Sequence, residues 1–103
     1  MQTSLLEEFI DEEVVDKSGK PIGVLDCYWE SSSSGELFLG IRLGGQEDVH
    51  VVPGIRVELV ERHSLVQIGF DAKSVRSAPL YDCDKELWPR LEQQAMEHFG
   101  LYQ

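Results

Sequence analysis

The groups in this 103-residue chain that could carry chemistry are two cysteines, three histidines and nineteen carboxylates, with a scatter of serines. Cys27 and Cys83 are too few and too far apart for a metal knuckle or a CxxC redox pair, both of which need sulfurs a few positions apart. Cys27 stands in an apolar run, Leu25–Trp29 (LDCYW), where a small buried hydrophobe is the expected state. Cys83 stands between Asp82 and Asp84, whose charge works against thiolate formation. Both therefore read as free thiols in a reducing compartment. His50, His63 and His98 fall on an expected strand, in a turn and near a helix end, without the spacing of joint ligands. Each reads as structural, and His98 in a last helical turn suits the helix dipole when protonated. No serine sits in a nucleophile elbow or beside a usable base. Gly44-Gly45 runs into Gln46, Glu47 and Asp48 with no helix start after it, which makes a poor phosphate cradle. The carboxylates lie on segments that read as surface instead of converging from separate strands into a pocket. These residues predict no enzyme: no catalytic residue, no metal site, no cofactor and no small-molecule substrate.

Charge points the same way. The net charge is −10. Acids crowd the two ends (Glu7, Glu8, Asp11, Glu12, Glu13 and Asp16 at the start; Asp82, Asp84, Glu86, Glu92 and Glu97 at the finish), while the body is nearly balanced. Such a chain repels phosphates at long range and offers no Lys/Arg stripe, so direct nucleic-acid binding is not expected. The acidic faces aid solubility or meet a basic partner. No apolar run approaches the ~20 residues of a membrane span, and the acidic N-terminus lacks the basic start and apolar core of a secretory signal. The expectation is a cytoplasmic protein with no membrane span.

The elements that must position these groups are short strands. Leu65–Phe70 alternates, with Val66, Ile68 and Phe70 on one face, as a half-buried strand does. Asp71 is a good N-cap for a helical turn or two over Ala72–Ser77. Pro79 then stops the helix and pushes Ala78 toward extended geometry, after which the chain leaves the body. Upstream, Ser4-Leu5-Leu6-Glu7 has capping-box spacing, so Leu5–Ile10 reads as a short helix that docks Leu6, Phe9 and Ile10. Glu13–Asp16 is a strand, Lys17–Lys20 a tight turn around Gly19, and Pro21–Trp29 a second strand in which Gly23 marks a bend or a close backbone approach. Glu30–Gly35 reads as a polar loop. Glu36–Leu43, Val49–Pro53 and Ile55–Val60 follow as strands, and Glu61–Ser64 as a turn. Six strands at this spacing, without a long helix between them, predict an antiparallel barrel, closed so that no edge is exposed. The end differs: Pro89 suits a first helical position, Gly100 the residue after a helix, and Leu91, Ala95 and Phe99 form a stripe between them. A helix this short is marginal alone, so it must dock on the barrel or on a second copy.

The order VVDKSGKPIGVL, ELFLGIRL, VHVVP, LVQIGFD and KSVRSAPLYD resembles the PRC-barrel family, over Leu5 to Asp82. Its most specific parts are Gly19, Ile22 and Gly23 in the first hairpin, and Ala78 with Pro79 in the exit after the last strand. The closing PRLEQQAMEHFG is similar to a helix that some single-domain members carry. Gly54 stands where members commonly have an aromatic residue, and GGQED is shorter than the usual loop. The resemblance implies a mainly β fold: a six-stranded antiparallel barrel over residues 1–82, with a short helical segment before it and a short helix after the last strand. Residues 83–103 form a C-terminal amphipathic helical extension. It also implies a non-enzymatic scaffolding module that binds a protein partner or itself, expected as a homodimer. The apolar residues of the C-terminal stretch, Trp88, Leu91, Phe99, Leu101 and Tyr102, are the expected contact residues. The alternative implied by the family is an accessory factor of ribosome maturation that acts by binding a ribosomal protein.

Overall fold

The computed structural model describes residues 3–31 and 34–101. In chain order these form α1 (Thr3–Glu7), β1 (Glu13–Val15), β2 (Pro21–Glu30), β3 (Leu37–Arg42), β4 (Val49–Pro53), β5 (Glu58–Val60), a 3-10 turn (Glu61–His63), β6 (Leu65–Gln67), α2 (Ala72–Arg76), β7 (Leu80–Tyr81) and α3 (Pro89–His98). None of these helices is long and apolar enough to cross a membrane.

The class is mainly β, as the alternating runs predict, but the expected six-stranded antiparallel closed barrel is not what forms. The strands make one mixed sheet of seven, in the order β5-β6-β1-β2-β3-β4-β7. β1 and β6 pair parallel, Val14 opposite Val66, and the Ile68 amide carries the pairing on by donating to the Val15 carbonyl at 3.0 Å. The reason is occupancy: the hairpin puts β2 on one side of β1, and β6 takes the other side in the direction the chain happens to bring it. Closure fails at the two ends. Arg56 takes a left-handed φ of 58°, which shortens the expected Ile55–Val60 strand to three residues. β7 at the far end has only two residues. Short outer strands are themselves a way of blunting an edge.

β7 also corrects the exit of the chain. After Pro79 the backbone stays on the body and pairs with β4, Leu80 opposite His50 and Tyr81 opposite Val49. The Val51 amide donates to the Pro79 carbonyl at 2.9 Å, and His50 Nδ1 donates to the Ala78 carbonyl at 2.9 Å. Ser4 likewise lies inside α1 and not ahead of it. Asp71 does cap α2, its Oδ1 accepting from the Ser74 amide at 2.7 Å.

Two apolar clusters hold the sheet. The larger joins Val14, Leu25, Leu39, Ile41, Val52, Val66 and Ile68 with Leu6 and Phe9 from the N-terminal segment and Val75 from α2. The smaller lies on the other face of β3 and β4, where Phe38 and Val51 meet Ala95 of α3. The alternation of β3 explains the division: Leu37, Leu39 and Ile41 point one way, Phe38 and Gly40 the other.

Asp16, the last residue of the expected strand Glu13–Asp16, is buried at 4% exposure. Its Oδ1 accepts from the Ser18 and Lys20 amides at 2.9 and 2.8 Å, and its Oδ2 from the Ala72 amide at 3.2 Å. The Lys20 amide, followed by those of Ser18 and Ala72, outweighs burial and holds this carboxyl below its usual range. One side chain thus ties the first hairpin turn to the start of α2. An aspartate opening a Lys-Ser-Gly turn is the signal that could have found half of this.

Candidate interaction site at the C-terminal corner

The residues singled out for chemistry do not converge. His50 is buried, with Nε2 unpartnered among the described residues once Nδ1 has bonded Ala78. His63 is exposed in the 3-10 turn, and His98 Nε2 donates to the Ser74 carbonyl at 2.8 Å. No group of three or more His, Cys, Asp or Glu able to hold a metal occurs among the described residues. One surface depression gathers Glu8, Glu12 and Glu61 beside Ser64 with no histidine; another is lined mainly by Pro21, Ile22, Val24 and Leu43.

The cysteines do converge, which overturns the expectation of two free thiols. Cys27 and Cys83 form a disulfide with their Cα atoms 5.9 Å apart. Three local features allow it. First, β2 carries a bulge between Leu25 and Cys27. The extra residue, Asp26, reverses the facing of the residues after it, so Leu25 enters the main core while Cys27 and Trp29 turn to the opposite face. Second, Gly40 stands opposite Cys27 on β3, and a Cβ there would lie 2.5 Å from the Cys27 sulfur. Only glycine leaves that sulfur its place. Third, β7 delivers the chain to this face, and residues 82–88 cross it from β7 to β2.

This crossing segment is a strap, and it is tied down at several points. The Trp29 indole donates to the Lys85 carbonyl at 2.9 Å, and the Tyr81 hydroxyl to the Glu86 carbonyl at 2.5 Å. The two rings tilt against each other with centroids 5.9 Å apart. Asp26 pairs with Arg42, and its Oδ2 lies 3.3 Å from the Cys83 sulfur. That sulfur carries no hydrogen in the disulfide, so this is a contact and not a hydrogen bond.

The strap ends at Trp88, which precedes Pro89 at the start of α3. Trp88 is 68% exposed, the most exposed of the large apolar side chains among the described residues, ahead of Leu80 at 51%. The other contact residues expected from sequence are placed differently. Leu91 packs with Leu87 and Met96 against Phe38, Val51 and Ala95. Phe99 stacks on Phe70 with centroids 4.4 Å apart, and Leu101 is half-buried. Tyr102 lies outside the described residues. The stripe of α3 is therefore covered by the chain's own body, and of the expected contact residues that are described, Trp88 is the exposed one. What this arrangement can do is bind: a rigid backbone presents one large amphipathic ring, of the residue type enriched at binding hot spots.

No protein-family model matches the sequence, and no curated protein matches it significantly.

Proposed function

We propose that the chain is a non-enzymatic protein-interaction module of the PRC-barrel kind that grips a basic partner protein at the strap corner. The observation that carries this reading is the exposed Trp88 at the end of a segment fastened by a disulfide and two side-chain hydrogen bonds. A side chain held so costs little entropy to immobilise on binding. Charge selects the partner: a chain at −10 repels its own copies at low ionic strength and attracts a basic surface. The α3 stripe that the sequence offers for self-association is already spent on Phe38 and Val51.

The test compares wild type with Trp88→Ala as bait in cell extract at low and high salt. A largely exposed ring contributes little to the fold, so the variant's unfolding free energy is expected to lie within about 0.5 kcal/mol of wild type. A bound protein of high isoelectric point should be lost with the indole and weakened by salt. Equal capture by both baits would remove Trp88 from the account, and a salt-insensitive or acidic partner would remove the charge argument.

A further inference from the structure

We propose that the Cys27–Cys83 bond is a reversible thiol–disulfide exchange site for dithiol reductants, and that its state sets how tightly the strap of residues 82–88 is held on the sheet. This inference does not depend on what Trp88 binds.

The bond is placed where breaking it is local. It fastens the strap to β2, and neither cysteine belongs to the main cluster of Leu25, Leu39, Ile41 and Val66. β7, the element before the strap, has two residues and lies at the edge of the sheet, too short to anchor the segment by itself. Without the bond, the strap is left with the Trp29 and Tyr81 hydrogen bonds and the packing of Leu87. Each such hydrogen bond is a modest net contribution.

The bond is also reachable. Both cysteines are half-buried, so a small thiol can approach without the sheet opening. The reduced form has a prepared place as well. Gly40 leaves room for the Cys27 sulfur, and Asp26 Oδ2, 3.3 Å from Cys83, becomes an acceptor once that sulfur bears a hydrogen. Cys83 lies on the loop side and Cys27 lies over β3, which makes Cys83 the sulfur open to attack. The incoming thiolate forms a bond to the Cys83 sulfur. The S–S bond breaks, and its electron pair leaves on Cys27, which then takes a proton. The reductant's second thiolate attacks the mixed disulfide, releasing Cys83 as a thiol and closing the reductant's own disulfide. The chain gains two electrons and two protons, and the dithiol loses both.

The experiment is hydrogen exchange on the full chain, oxidised with glutathione disulfide and reduced with dithiothreitol, under native conditions. Thiol titration of each form comes first: none should react in the oxidised form and two in the reduced. On reduction, amides of the strap and of the first turn of α3 should exchange faster by about tenfold beyond any change in β1–β4, the mark of sub-global opening. Returning the sample to glutathione disulfide should restore the original pattern. An equal acceleration everywhere would show a purely global cross-link and overturn the proposal. So would reduction that proceeds only in denaturant, or two thiols that stay titratable after oxidation. The Cys27→Ser/Cys83→Ser chain should match the reduced pattern, and a match to the oxidised one would count equally against the latch.

Discussion

The two faces of β3 show two ways of holding a small sheet together. On one, Leu39 and Ile41 join a cluster of apolar side chains in which ten of the described residues are buried, gathered from the N-terminal segment, α2 and most of the strands. On the other, Phe38, Val51 and Ala95 form a smaller cluster, with buried Val49 beside Gly40, ringed by Trp29, Tyr81, Leu87, Leu91 and Met96. The second cluster is the smaller, and its face carries a disulfide, an indole–carbonyl bond and a phenol–carbonyl bond within a few residues of one another. Where apolar area is short, small folds add staples. The stapled face is also the one that carries the exposed Trp88.

The strongest way to break this comparison is to cut into the larger cluster. Leu39 is fully buried at the centre of β3. Leu39→Ala should cost about 2–5 kcal/mol, lost transfer free energy plus the cavity left behind. Against a typical total of about 5–15 kcal/mol, that is enough to depopulate the whole fold. Urea unfolding followed by far-ultraviolet circular dichroism and by tryptophan fluorescence should show one coincident transition at lower midpoint. Two separated transitions would mean that the clusters are independent folding units.

Next in size is the staple. The disulfide spans 56 positions of sequence. Removing it as Cys27→Ser/Cys83→Ser should lower stability by about 2–4 kcal/mol, through the freedom regained by the unfolded chain. The same urea series measures it. A loss near zero would mean that the unfolded chain is already confined, and the smaller cluster would then need no staple.

These two regions differed in how far the sequence could be read. The larger cluster follows from period-2 alternation, and Val49–Pro53 forms over the residues expected, as does the Asp71 cap. The start of α3 at Pro89 was equally legible, because a proline constrains its own neighbourhood. The smaller cluster depends on facts that no local pattern encodes. A bulge at Asp26 decides which way Cys27 and Trp29 face, and a pairing of Cys27 with Gly40 decides whether a sulfur fits. Unbroken alternation would place Cys27 on the side of Leu25, and the bulge puts it on the other. The parallel pairing of β1 with β6 was hidden for a related reason: alternation fixes faces but not neighbours. The exposure of Trp88 and the covering of Leu91 and Phe99 both needed the position of the sheet.

The smallest effect expected at neutral pH, and the one that best separates the two regions, is acid sensitivity. Asp16 and Asp71 both lie at the joint between the first hairpin and α2, away from the strap. Backbone amides hold both carboxyls below 3.8, that of Lys20 foremost for Asp16 and that of Ser74 for Asp71. Near that pH the folded chain binds fewer protons than the unfolded chain. The stability these groups contribute is therefore whole well above 3.8 and drains as pH falls through it and through the lower folded-state values. Asp16→Asn removes one of the two titrations, so its stability should fall less steeply over the same acid range, measured by urea midpoints from pH 6 downward. The disulfide does not titrate, so Cys27→Ser/Cys83→Ser should keep the wild-type slope while sitting at lower stability throughout. If the cysteine variant flattened the acid slope and the aspartate variant did not, the charge network would belong to the stapled face. The assignment of acid sensitivity to the hairpin joint would then be wrong.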